Sequence, residues 1–132
     1  MYPLKELTVV NISRDRCSLG DRIQVADTIL TSFIGLMGRK VLAPGAGLLL
    51  RGCSSIHTFW MRIPIDVLYL DRYFRVRAID NHLKPWRTGT IRRKIRHVLE
   101  LPAGTVQRLG VSVGDVLALV EHVAPATVEK ER

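Results

Sequence analysis

Apolar positions along this chain fall in short runs separated by turn residues, and the period of each run predicts its element. Leu7-Thr-Val-Val-Asn-Ile12 has the β-branched content of a strand. Leu19-Gly-Asp21 predicts a turn, and Arg22 to Ala26 alternates like the second arm of a hairpin. Asp27 and Thr28 are N-cap types. After them Ile29, Leu30, Phe33, Ile34 and Met37 lay an apolar stripe along a helix of about three turns. Gly38 suits its left-handed end, and Arg39 and Lys40 suit the negative end of its dipole. Pro44-Gly-Ala-Gly47 predicts a turn and Leu48 to Leu50 a short buried strand. Ile65 to Leu70 and Tyr73 to Ile79 predict two strands joined at Asp71-Arg72, followed by a loop from Asn81 to Thr90. His97 to Leu101 predicts another strand. Pro102 to Leu109 predicts a short helix, with Pro102 in its first turn and Gly110 at its stop. Val113-Gly-Asp115 turns into a last strand, Val116 to Val123.

Many short strands, two short helices and no βαβ alternation predict a compact, β-rich α+β domain. Its sheet is expected to be barrel-like or strongly bent and antiparallel. The whole chain, 1–132, reads as one domain with an ordered core over about 5–123 and a polar tail at 124–132. No internal repeat or low-complexity tract interrupts it.

Composition adds limits. Of 132 residues, 47% are hydrophobic and 24% charged, the balance of a globular chain that can bury a core without metal or disulfides. No apolar run reaches the roughly 18 residues of a membrane span, and the N-terminus lacks the apolar stretch of a signal peptide. A cytoplasmic protein is expected. There Cys17 and Cys53 are thiols, and no set of ligands at zinc spacing accompanies them, so neither metal nor cofactor is expected. The net charge of +8 suits a polyanionic partner or a cleft that draws in a small anion.

Candidate chemistry centres on Cys53 to Asp66. In an extended Ile65 to Leu70, Asp66 interrupts a strand whose two faces are otherwise apolar or aromatic. A carboxylate there must be paired, hydrogen-bonded or protonated, and Arg62 and Arg39 are the candidate partners. It reads either as a structural group or as a pocket acid. Cys53 and His57 combine the residue types of a nucleophile and base, or of a metal site, because both chemistries use thiolate and imidazole. On an extended chain, however, four residues separate them by about 13 Å, at roughly 3.3 Å per residue. Phe59, Trp60 and Met61 read as core or as an aromatic wall for a ligand. From Lys84 to His97 the chain has Arg87, Arg92, Arg93, Lys94 and Arg96 and no acid. If Ile91 to Glu100 is extended, Arg92, Lys94 and Arg96 line one face near Trp86, a stripe able to follow a phosphate backbone. No P-loop, dinucleotide fingerprint, nucleophile elbow or metalloprotease motif occurs.

Several phrases come in a familiar order: Gly35-Leu-Met-Gly-Arg39, Phe59-Trp-Met-Arg62 leading into Pro64-Ile-Asp66, Val98-Leu-Glu-Leu-Pro-Ala-Gly104, and Gly114-Asp115. In this the chain resembles domain of unknown function family 192 from about Leu7 to about Val120. Arg62 stands where the more usual form has lysine, the Asn-Thr pair that follows it there is absent, and Cys53-Ser-Ser-Ile-His57 is similar to a common bacterial subgroup. The resemblance implies a β-rich fold and leaves function open.

The expected function is therefore binding of a small polar or anionic ligand in a cleft near Arg39, His57, Trp60, Arg62 and Asp66. One alternative is nucleic-acid or polyanion binding through Lys84–His97. Another is a small hydrolase or transferase using Asp66, His57 or Cys53.

Overall fold

The computed structural model describes residues 5–26, 42–54, 62–89 and 93–121. Within them the apolar runs become strands β1 (Glu6–Asn11), β2 (Cys17–Ala26), β3 (Ala46–Arg51), β4 (Ile65–Leu70), β5 (Val76–Leu83), β6 (His97–Pro102) and β7 (Leu117–Glu121). A 3-10 turn, Ile12–Arg14, links β1 to β2, and helix α1 (Thr105–Leu109) lies between β6 and β7.

All the strands join one sheet in the order β5-β4-β6-β3-β2-β1-β7. The expected antiparallel sheet is in fact mixed, because β2 and β3 run parallel from Arg22↔Ala46 to Ala26↔Leu50. Parallel neighbours need a crossover of about a dozen residues or more, and the chain between Ala26 and Ala46 supplies that length. Nor does the sheet close as a barrel. Among the described residues its edge strands meet at one end, through the bridge Arg75↔Val116. There the Val76 N–H donates to the Asp115 carbonyl (2.8 Å) and the Leu117 N–H to the Phe74 carbonyl (2.9 Å). The result is a strongly curled open sheet.

Of the two predicted helices, the one over Asp27 to Gly38 lies outside the described residues. The other is shorter than expected. Pro102 ends β6, paired with Ile65, and α1 begins only after Gly104 at φ 94°. Gly110, at φ 68°, closes the helix by donating its N–H to the Val106 carbonyl.

Leu19-Gly-Asp21 is also not a turn but part of β2. The chain reverses earlier, where Asn11 Oδ1 accepts from the Ser13 N–H and Asp15 and Arg16 take left-handed φ of 55° and 57°. Gly20 serves close packing instead: a Cβ there would lie 2.8 Å from the Gly45 carbonyl oxygen and 2.7 Å from Ile23 Cδ1. Likewise Tyr73 and Phe74 turn before β5 begins, because Asp71 Oδ1 accepts from the Tyr73 and Arg75 amides.

Alternation along the strands sorts the apolar side chains into two clusters. The first draws on every strand (Val9, Ile23, Leu49, Leu68, Val76, Leu99 and Leu117 among them) and takes Val106 from α1. The second, on the opposite face of the strands, is built from Leu48, Leu50, Ile65, Val67, Tyr69, Ala78 and Val98, with Cys53 and Ile63 packed against it. β4 supplies both, and all six of its residues are buried, as its sequence predicts.

Candidate functional site

Asp66 is fully buried, on the same side of β4 as Leu68 and Leu70 of the first cluster. Opposite it β5 carries an extra residue: Ile65 pairs with Leu83 but Val67 pairs with Asp80, so Asn81 and His82 face one position of β4. The carboxylate fills that bulge. Its Oδ1 accepts from the His82 N–H (2.9 Å), where His82 is held at φ 52°. Its Oδ2 accepts from the Gly104 N–H (3.0 Å) and the Val106 N–H (2.9 Å). Helix α1 has no side-chain cap of its own, so a carboxylate from a distant strand satisfies its first amides. The candidate partner Arg62 is exposed and contributes none of these bonds. Asp66 thus joins β4, β5 and α1 through backbone donors.

The second face holds a different set of polar groups. Val67 pairs with Asp80 on one side and Glu100 on the other, and Glu100 pairs in turn with Leu48. Directly paired residues project to the same side of a sheet, so Asp80, Val67, Glu100 and Leu48 form one row. The two acids stand two strand spacings apart, about 10 Å between their backbones. In the next row the buried Tyr69 donates from its hydroxyl to Asp80 Oδ2 at 2.8 Å.

Glu100 is 5% exposed. Its neighbours on this face are Leu48 and Val67 across the sheet and Val98 and Pro102 along β6. Among the described residues its carboxyl makes no hydrogen bond or ion pair. Burial pushes its pKa up to about 8. Sequence reasoning passed over Glu100, although the signal matches the one that singled out Asp66: one acid interrupts the apolar strand His97–Pro102.

The remaining sequence candidates are distributed around this frame. Cys53 packs against the second cluster as a reduced thiol. Arg62 is exposed next to Ile63, which packs on the same cluster. Arg39, His57, Trp60 and Arg92 lie outside the described residues, and with His57 so does the Cys53–His57 pair. Arg87, Arg93, Lys94 and Arg96 are exposed. The expected extended stripe does not form over the described part of this segment. Arg93 and Lys94 sit in a turn, with Lys94 at φ 67°, and the strand starts only at His97.

His97 marks the first face at that end of β6. Its Nδ1 accepts from the Gly52 N–H at 3.2 Å, and its ring lies 4.6 Å from that of Phe74. Burial, followed by the charges of Arg51 and Arg96, holds its pKa below the ordinary histidine value of 6.5, with Asp71 opposing. Protonation would also remove the acceptor that Gly52 uses. A depressed folded pKa means that the contribution is complete above about pH 6.5 and is lost as pH falls through the folded value. The His97 imidazole resonances are expected to titrate with a midpoint below 6.5 by NMR. A His97→Gln variant should show a flatter loss of stability between pH 7 and 5 in urea unfolding.

No group of three or more His, Cys, Asp or Glu among the described residues could hold a metal ion. No helix among them is long and apolar enough to cross a membrane.

Comparison with known proteins gives one consistent result. The family model DUF192, Uncharacterized ACR, matches residues 10–119. The UPF0127 protein of Pyrococcus furiosus is 37% identical over 98 residues, 72% of this chain and 84% of that protein. The UPF0127 protein of Pyrococcus horikoshii is 34% identical over 110 residues, 81% of this chain and 94% of that protein. Among solved structures, a "putative transcription regulator" from Sinorhizobium meliloti 1021 superposes with a TM-score of 0.76 at 28% identity, covering 90% of this chain and 97% of that one. A protein of unknown function from Novosphingobium aromaticivorans shares the fold, with a TM-score of 0.73 at 22% identity over 89% of this chain and 93% of its own. The family phrases from Gly35 to Asp115, the extent of the match and the identity to these archaeal relatives agree: this chain belongs to the uncharacterised DUF192 family.

Proposed function

We propose that this domain binds a small polar ligand on the second face of its sheet, beside Tyr69, Asp80 and Glu100. One observation carries the reading. Glu100 is a carboxyl in the middle of an apolar sheet face, 5% exposed and without a partner among the described residues. Such a group costs stability, and a binding surface is where that cost has a use. Arg62, exposed beside a residue of the second cluster, is a fork able to orient a polar group at the margin of this face. Arg39, His57 and Trp60 remain ligand candidates on their sequence alone. Asp66 supports the site rather than touching the ligand, since backbone amides occupy both its oxygens.

Native mass spectrometry of gently purified protein should reveal a retained small molecule. Arg62→Ala should release it, and its melting temperature should lie within about 2 °C of that of the ligand-free wild type, as for other surface substitutions. An apoprotein under every purification condition, or full retention by Arg62→Ala, would count against this reading.

A second reading, nucleic-acid binding, draws support from the exposed Arg87, Arg93, Lys94 and Arg96, from Trp86 at 52% exposure and from the description of the Sinorhizobium relative. It predicts an oligonucleotide affinity that falls steeply between 50 and 200 mM salt, by about tenfold or more, and that weakens on charge reversal at Arg93 and Lys94. No mobility shift at low salt would remove it.

A further inference from the structure

We propose that the ligand presents an oxygen acceptor, a carboxylate or carbonyl oxygen, to Glu100, whose carboxyl donates a hydrogen bond to it as the neutral acid. This rests on the binding face proposed above and adds the chemical class of what that face takes.

The argument begins with the surroundings of Glu100. Leu48 and Val67 flank it across the sheet, and Val98 and Pro102 flank it along β6, so all four nearest positions on its face are apolar. No cation among the described residues pairs with it. In such a place the uncharged form is favoured, because the charged form would give up its hydration and gain no counter-charge among the described residues. Burial acts in that direction on Glu100. A neutral carboxyl carries one O–H donor, and at a position this enclosed a ligand oxygen is the partner that donor fits. The neighbouring acid does not serve in the same way, because Asp80 already accepts from the Tyr69 hydroxyl.

The rest of the chain points the same way. Its net charge of +8 raises the local concentration of oxyanions and lowers that of amines. An amine ligand would require Glu100 to ionise against four apolar neighbours. An oxygen acceptor requires no change of state.

The test uses the full chain labelled with ¹⁵N, two probe sets and two variants. The oxygen-acceptor probes are lactate, pyruvate and citrate, and the amine probes are putrescine and agmatine. Glu100→Gln keeps the shape and a donor, whereas Glu100→Leu keeps the approximate size and removes the donor. The expected result is that at least one oxygen-acceptor probe shifts the amides of Tyr69, Asp80 and Glu100. Its affinity should be retained within about threefold by Glu100→Gln and weakened about tenfold or more by Glu100→Leu.

Amine binding at these amides that is lost in Glu100→Gln would overturn the inference and leave the binding face standing. So would binding that is equal in wild type and both variants. Failure of both probe sets to shift these amides would overturn the inference and the binding face together. Both variants remove a buried acid, so each is expected to fold, and the Gln variant decides the question even if the Leu variant does not.

Discussion

Asp66→Ala is expected to lower the free energy of unfolding by about 4 kcal/mol, as read by urea unfolding at pH 7. The substitution strands the N–H groups of His82, Gly104 and Val106, two of which belong to the start of α1. Asp66→Asn should lose nearly as much. Its NH₂ must face either His82 or the Gly104–Val106 pair, setting donor against donor. Faster hydrogen exchange at Gly104 and Val106 in both variants would locate the damage. A loss of less than about 1 kcal/mol would show that the three amides find other acceptors and that Asp66 is not what joins α1 to the sheet.

Glu100→Gln is expected to act in the opposite sense and stabilise the domain. Glu100 has a folded pKa of about 8 against an ordinary value of 4.5. The folded state therefore holds its proton after the unfolded chain has released it. Its contribution is fully present below about pH 4.5 and is lost as pH rises towards 8. At pH 7 the loss is on the order of 3 kcal/mol, at about 1.4 kcal/mol for each pKa unit. A glutamine does not titrate, so the variant should have the higher melting temperature at pH 8 and near parity with wild type at pH 4.5. Equal pH–stability curves for the two proteins would mean that Glu100 reaches solvent or a partner. The acid would then no longer mark a site. The two experiments ask the same question of two buried acids, one fully bonded and one without a bond among the described residues. Their opposite signs separate a structural carboxylate from one retained at a cost to stability.

Several of these features were legible in the chain. Six apolar or acid-interrupted residues at Ile65–Leu70 predicted a strand covered on both faces, and every one of them is buried. The same pattern singled out Asp66 and named the choice between pairing and hydrogen bonding, but it offered arginines as partners. Backbone amides are invisible in a sequence because every residue carries one, so an acid bonded to three of them has no complementary residue to find. The signal that was available lay in Gly104, a helix start without a capping side chain, which must be capped from elsewhere.

Glu100 is equally legible as one acid within the apolar strand His97–Pro102, although a basic stretch precedes it. The hairpin of β1 and β2 forms, but its turn is not at Leu19-Gly-Asp21, because glycine signals either a turn or a close approach, and only the nearness of Gly45 and Ile23 decides which.

By itself the sequence determined the β-rich class, the positions of most strands, the burial of β4 and the family. All of these follow from local periodicity and local phrases, which survive any arrangement of the elements. Only the tertiary structure decided that β2 and β3 run parallel, that the curled sheet stays open, that Asp66 caps a helix 38 residues away in sequence from its nearest amide there, and that Glu100 shares a row with Asp80. Those facts depend on register between strands far apart in the chain. Register is set by which faces bury together, not by any residue's own preference.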